Sequence, residues 1–121
     1  MSKSNFKELK VWQESKQLAV EIYKLTNNET FKKDFGLKDQ IQRSAVSIAS
    51  NIAEGCERDS DKEFNRFLNI SKGSLAELIT QLEIGYEIGY ITKTELLLLE
   101  EKSNNIARML GAFIRTINKT Q

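Results

Sequence analysis

Apolar residues recur along this chain at alternating spacings of four and three, and four stretches carry that pattern. The first covers residues 6–26, where Val11, Ser15, Leu18, Ile22 and Leu25 form a stripe widened by Trp12, Ala19 and Tyr23. The second covers residues 37–54, with Leu37, Ile41, Ala45, Ile48 and Ile52 on one face. The third, residues 61–88, runs through Phe64, Leu68, Ser71, Leu75, Leu78, Leu82 and Gly85, a coiled-coil-like repeat. The fourth, residues 93–117, runs through Leu99, Ser103, Ile106, Leu110, Phe113 and Ile117. Long helices joined by short connections pack antiparallel, so the pattern predicts an all-α, up-down-up-down four-helix bundle in a single domain, residues 1–121.

The punctuation between the stripes supports these boundaries. Thr26, Asn27 and Asn28 end the first helix, because their side chains bond locally to the backbone. Residues 29–36 read as a loop or short turn, with Phe31 and Phe35 available to tuck under the bundle. Gly55 is expected to terminate the second helix in a left-handed conformation. Ser60 with Glu63, and Thr92 with Glu95, have the spacing of capping boxes that open the third and fourth helices. Gly89 is the expected terminator of the third, which at roughly 40 Å would overhang its partners.

The second helix departs from an ordinary bundle helix, since Ser47, Asn51 and Glu54 put small and polar groups where leucine would be usual. On the third helix Gly73, Ser74 and Glu77 stand opposite them if the two pack antiparallel. A glycine inside a helix costs about 1 kcal/mol against alanine, and a close backbone approach at Gly73 would offset it. Three readings of the row are open: a hydrogen-bonded packing seam, a subunit contact, or a ligand site.

Composition removes much catalytic chemistry. The 121 residues hold no histidine, no proline and one cysteine, Cys56. Without histidine the commonest general base and nitrogen ligand are missing, and neither a Ser–His nor a Cys–His pair can be assembled. Glutamates alone do not complete a di-iron pattern, which also needs histidines. No enzyme activity, metal, cofactor or small-molecule substrate is therefore expected. No apolar run is long enough to cross a membrane, and the polar, lysine-bearing start lacks the apolar core of a secretory signal, so a cytoplasmic protein is expected.

Eighteen basic residues against seventeen acidic ones give a formal charge of +1, so there is no global nucleic-acid signature. The distribution is uneven. Residues 73–100 carry Lys93 against five glutamates, while residues 101–121 carry Lys102, Arg108, Arg115 and Lys119 against Glu101 alone. This asymmetry suits attraction between helices or subunits, or a basic binding face. Arg58, Lys62, Arg66, Arg108 and Arg115 are the leading candidates for phosphate contacts; Lys72, Lys119 and the amino-terminal Lys3, Lys7, Lys10 and Lys16 are further basic positions. A symmetric oligomer would multiply any such patch.

Several motifs resemble a known family: Val11-Trp12-Gln13, the run from Ser47 to Gly55 with Arg58 after it, the run from Glu63 to Leu78, and Gly89-Tyr90-Ile91. Together they closely resemble the four-helix-bundle proteins of bacterial 23S ribosomal RNA intervening sequences, over nearly the whole chain. The resemblance implies a small cytoplasmic bundle that assembles as a homopentamer and has no established activity. The similar accessory variability determinants of diversity-generating retroelements bind nucleic acid and a reverse transcriptase through a basic pentamer. The resemblance therefore implies a non-enzymatic binding scaffold for structured RNA or DNA, the alternative being a protein–protein assembly module without nucleic acid.

Overall fold

The computed structural model describes residues 5–120, so Lys3 among the basic candidates lies outside the described residues. A 3-10 turn at Phe6–Glu8 leads into helices α1 (Lys10–Leu25), α2 (Glu29–Lys33), α3 (Phe35–Cys56), α4 (Asp61–Glu87) and α5 (Lys93–Thr120). The four long helices form the expected bundle. In sequence order α1, α3, α4 and α5 each pack on the next, and α5 closes the circle against α1.

Register gives the direction of the helices. Ser47 meets Ser74 and Ile48 meets Ser71, so partners on α4 fall in number as those on α3 rise. Phe64 against Phe113 and Tyr86 against Lys93 give the same sense for α4 and α5. Short connections and antiparallel neighbours are the two marks of an up-down-up-down bundle.

The apolar stripes become the core. Ile41, Ala45, Ile48 and Ile52 of α3 are buried, as are Phe64, Leu68, Leu75, Leu78 and Leu82 of α4. Serines on the stripes stay satisfied: Ser15 and Ser103 each donate to the carbonyl four residues earlier, Val11 and Leu99, at 2.7 and 2.8 Å. Ser71 instead crosses between helices and donates to the Ile48 carbonyl at 2.8 Å. A buried hydroxyl needs such an acceptor, because leaving it unpaired costs about 1–3 kcal/mol.

Helix ends follow local chemistry. The Ser60 side chain accepts from the Glu63 amide at 3.1 Å, while the Glu63 carboxylate turns to Arg66 rather than back to the cap. Thr92 and Glu95 complete both halves of their box, at 2.8 and 3.1 Å. Gly89, at φ +85°, ends α4 in a Schellman turn: its own amide donates to Tyr86 and that of Tyr90 to Gly85.

Four expectations are corrected. The first helix starts at Lys10 rather than residue 6, because Leu9 is extended (ψ 124°) and Asn5 caps a separate turn. Residues 29–36 are not a plain loop: Asn28 caps α2 through the Phe31 amide, and Asp34 caps α3 through the Leu37 amide. Phe31 is fully buried and meets Tyr90 edge-on at 5.3 Å, but Phe35 is 74% exposed. Gly55 does not terminate its helix, since α3 continues to Cys56 and Gly89 is the one positive-φ residue described. The expected overhang of α4 is shared, because α5 is about as long (28 residues against 27), and Phe31 of α2 packs beside Gly85 and Tyr90 at that end. Three clefts of about 500, 330 and 40 Å³ run along the boundary of α1 and α5.

Candidate functional site

The polar row on α3 divides into two groups. Ser47 Oγ and Ser74 Oγ stand 2.8 Å apart across the α3–α4 boundary, and Asn51 donates through Nδ2 to the Ser47 carbonyl (2.8 Å) and hydroxyl (2.9 Å). These three residues form one half-buried network. Glu54, Gly73 and Glu77 do not join it. Glu54 faces solvent and accepts from Arg58 Nη2 at 3.3 Å, and Gly73 and Glu77 are exposed on α4.

The close approach expected at Gly73 occurs at Gly55. A Cβ added at Gly73 would meet nothing within 4 Å, whereas one at Gly55 would stand 2.7 Å from Phe67 Cβ and 3.0 Å from Phe64 Cδ1. Helical periodicity places a glycine on a face but not at the level where two axes come nearest. The signal available in the sequence was proximity to the turn: Gly55 lies close to the short α3–α4 connection, where the chain itself holds the helices together.

Gly55 also positions the basic cluster. With no side chain there, Phe67 packs onto α3 and is 6% exposed. Two guanidinium groups lie against its ring, Arg58 with Cζ 4.8 Å and Arg66 with Cζ 4.5 Å from the centroid. Such contacts contribute about 0.5–1 kcal/mol at exposed sites. Arg66 is further fixed by two hydrogen bonds to Glu63, at 3.1 and 3.2 Å. This bonding, more than the opposing partial desolvation, holds the Glu63 carboxyl below the usual carboxylate range and Arg66 above its ordinary value. Lys62 is exposed on the same helix turn. Arg108 and Arg115 are exposed on α5, where Arg108 bonds Asn105. Among the described residues no hydrogen bond, ion pair or ring contact links them to the Phe67 cluster. Sequence reading did not single out Phe67, which lies off the core stripe and gains its role from the chain crossing at Gly55.

Elsewhere the carboxyl of Glu100 on α5 hydrogen-bonds to that of Glu83 on α4; this contact first, and partial burial second, raises the Glu100 pKa above the usual range. Among the described residues no group of three or more His, Cys, Asp or Glu is placed to hold a metal ion. Cys56 is buried. No described helix is long and apolar enough to cross a membrane.

A second surface lies outside the core, between α1 and α3. Phe6 meets Trp12 edge-on at 5.3 Å, Lys16 lies over the Trp12 ring at 5.2 Å, and Trp12, Ala19, Val20, Tyr23, Val46 and Ala49 line an open groove of about 540 Å³.

Fold and connectivity define the class: a small antiparallel four-helix bundle. The sequence profile of the 23S rRNA-intervening sequence proteins matches residues 7–112, and the chain belongs to that family. Among solved structures it is similar to a protein of unknown function from the S23 ribosomal protein family of Bacteroides thetaiotaomicron. That likeness has 33% identity and a TM-score of 0.79, covering 86% of this chain and 97% of the other. Among curated proteins nothing matches the chain.

Proposed function

We propose that this protein is a non-enzymatic, homo-oligomeric binding scaffold for structured RNA or DNA, acting in the cytoplasm. The observation that carries the nucleic-acid reading is the pair of arginines held on Phe67. Of the five N–H donors in a guanidinium, the bonds to Glu54 and Glu63 engage one on Arg58 and two on Arg66. The remaining donors sit on planes already fixed by the ring, so less side-chain freedom is lost when phosphate oxygens are bound. Lys62 adds charge beside them, and Arg108 and Arg115 offer a second set on α5. Assembly as a pentamer is what membership of the family resemblance implies, and it would present the pair five times. The non-enzymatic reading rests on a sequence without histidine.

A second reading, a protein–protein assembly module without nucleic acid, draws support from the apolar groove between α1 and α3.

Fluorescence anisotropy with labelled structured RNA and single-stranded DNA separates the two. The scaffold should bind at about 50 mM salt and weaken steeply by about 200 mM, because each neutralised phosphate releases counterions. Arg58→Glu with Arg66→Glu should then lower affinity at least tenfold at the lower salt without changing helix content. Failure to bind at about 50 mM salt leaves the assembly module.

A further inference from the structure

Resting on the homo-oligomer reading above, we propose that the α1–α3 groove of one copy receives the first turns of α5 from a second copy, head to tail. The groove is an open, mainly apolar surface of about 540 Å³. Val20 and Val46 on its walls are each 41% exposed, and Ala19 beside Val20 is half-buried. Its floor carries Ala49 and Ala53, small enough to admit a side chain from another helix close to the backbone.

Charge selects the occupant. Lys16 is the one charged residue among those lining the groove, and no carboxylate lines it. A two-fold contact of this face with itself would bring the Lys16 ammonium groups toward each other across apolar surface, so the matching surface must supply a carboxylate instead. The chain has such a surface. Leu97 and Leu98 on α5 are 54% and 51% exposed, and Glu101, also exposed, follows one turn later. An apolar pair with a carboxylate one turn away complements an apolar groove with one ammonium. The two surfaces are on different sides of the bundle, because α5 packs on α1 and α4 and stands diagonally opposite α3. No copy can therefore satisfy its own groove. Repetition of a contact between two unlike surfaces closes into a ring if the rotation per step permits.

Light scattering after size-exclusion chromatography tests the pairing with two double variants. The groove variant is Val20→Glu/Val46→Glu, and the α5 variant is Leu97→Glu/Leu98→Glu. All four positions are exposed in the single copy, so circular dichroism should remain helical. Each variant alone should run as a 13.9 kDa monomer. An equimolar mixture should give a particle of twice that mass, since it holds one intact groove and one intact α5 surface. Persistence of the wild-type oligomer in both variants, or failure of the mixture to pair, overturns the inference while leaving homo-oligomerisation in place. A monomeric wild type overturns homo-oligomerisation itself. If either double variant loses helix, the charge exchange decides: Lys16→Glu should weaken assembly severalfold and Glu101→Lys in the same chain should restore it. Lack of restoration overturns the pairing.

Discussion

Two glycines on facing helices behave in opposite ways, and the difference is measurable. Gly55→Ala would drive a methyl group to within 2.7 Å of Phe67 Cβ, where backbone on both sides prevents retreat. Overpacking of this kind costs about 1–3 kcal/mol, so the variant should unfold at lower denaturant and should displace Phe67 from between its arginines. Gly73→Ala meets open space, and removing a flexible residue from a helix interior should stabilise the chain by about 0.5–1 kcal/mol. Chemical denaturation of the two variants reads both signs. Loss of stability on Gly73→Ala would mean that a neighbour covers that face in the assembled protein. Serine and asparagine choices on α3 were legible in the sequence as a polar seam. Which of them actually bond was not, because that depends on the level at which a partner stands: Ser74 on α4 reaches Ser47, whereas Glu54, two turns on, meets Arg58 instead.

Helices as units carry the clearest sequence signal. All seven positions of the α4 stripe, from Phe64 to Gly85, are buried, and the Thr92 capping box forms in both directions. Periodicity works here because a residue's distance from the core depends on angle around the helix axis alone. It fails for α2, five residues long, where Phe31 rather than Phe35 becomes the plug because bundle-end geometry, not local pattern, decides. The contact between α4 and α5 adds a pH response. The folded state raises the pKa of Glu100, so its contribution to stability is fully present below the unfolded carboxyl value and disappears as pH rises through the higher folded value. As pH rises through that folded value, the Glu100 carboxyl gives up its proton beside Glu83, with Lys93 nearby. Glu100→Gln should raise the melting temperature at pH 7 and flatten its dependence over the acidic range, measured by thermal circular dichroism from about pH 4 to 7. An unchanged pH profile would remove Glu83 and Glu100 as its source.

At the scale of the molecule, fold and family were readable in the sequence, while the exterior surfaces were only partly so. The five arginines and lysines singled out for phosphate contact do not form one patch: Arg58 and Arg66 converge on Phe67, and Arg108 and Arg115 remain on α5. Convergence of that kind depends on where helices cross, which spacing along one helix does not encode. The circular order of the bundle has a further effect, on the sequence in which it opens. Three of its four helix boundaries join long helices consecutive in the chain; the fourth joins α1 to α5, far apart in sequence, with clefts along it and the Lys102–Glu21 ion pair across it. Closing it is the step with the largest loop-entropy cost. In native-state hydrogen exchange the amides of α1 and α5 should therefore lose protection first, as one cooperative unit, while the hairpin of α3 and α4, tied by Ser71 to Ile48 and by the crossing at Gly55, exchanges only through global unfolding. The chain thus behaves as a stable central hairpin clasped by its two ends.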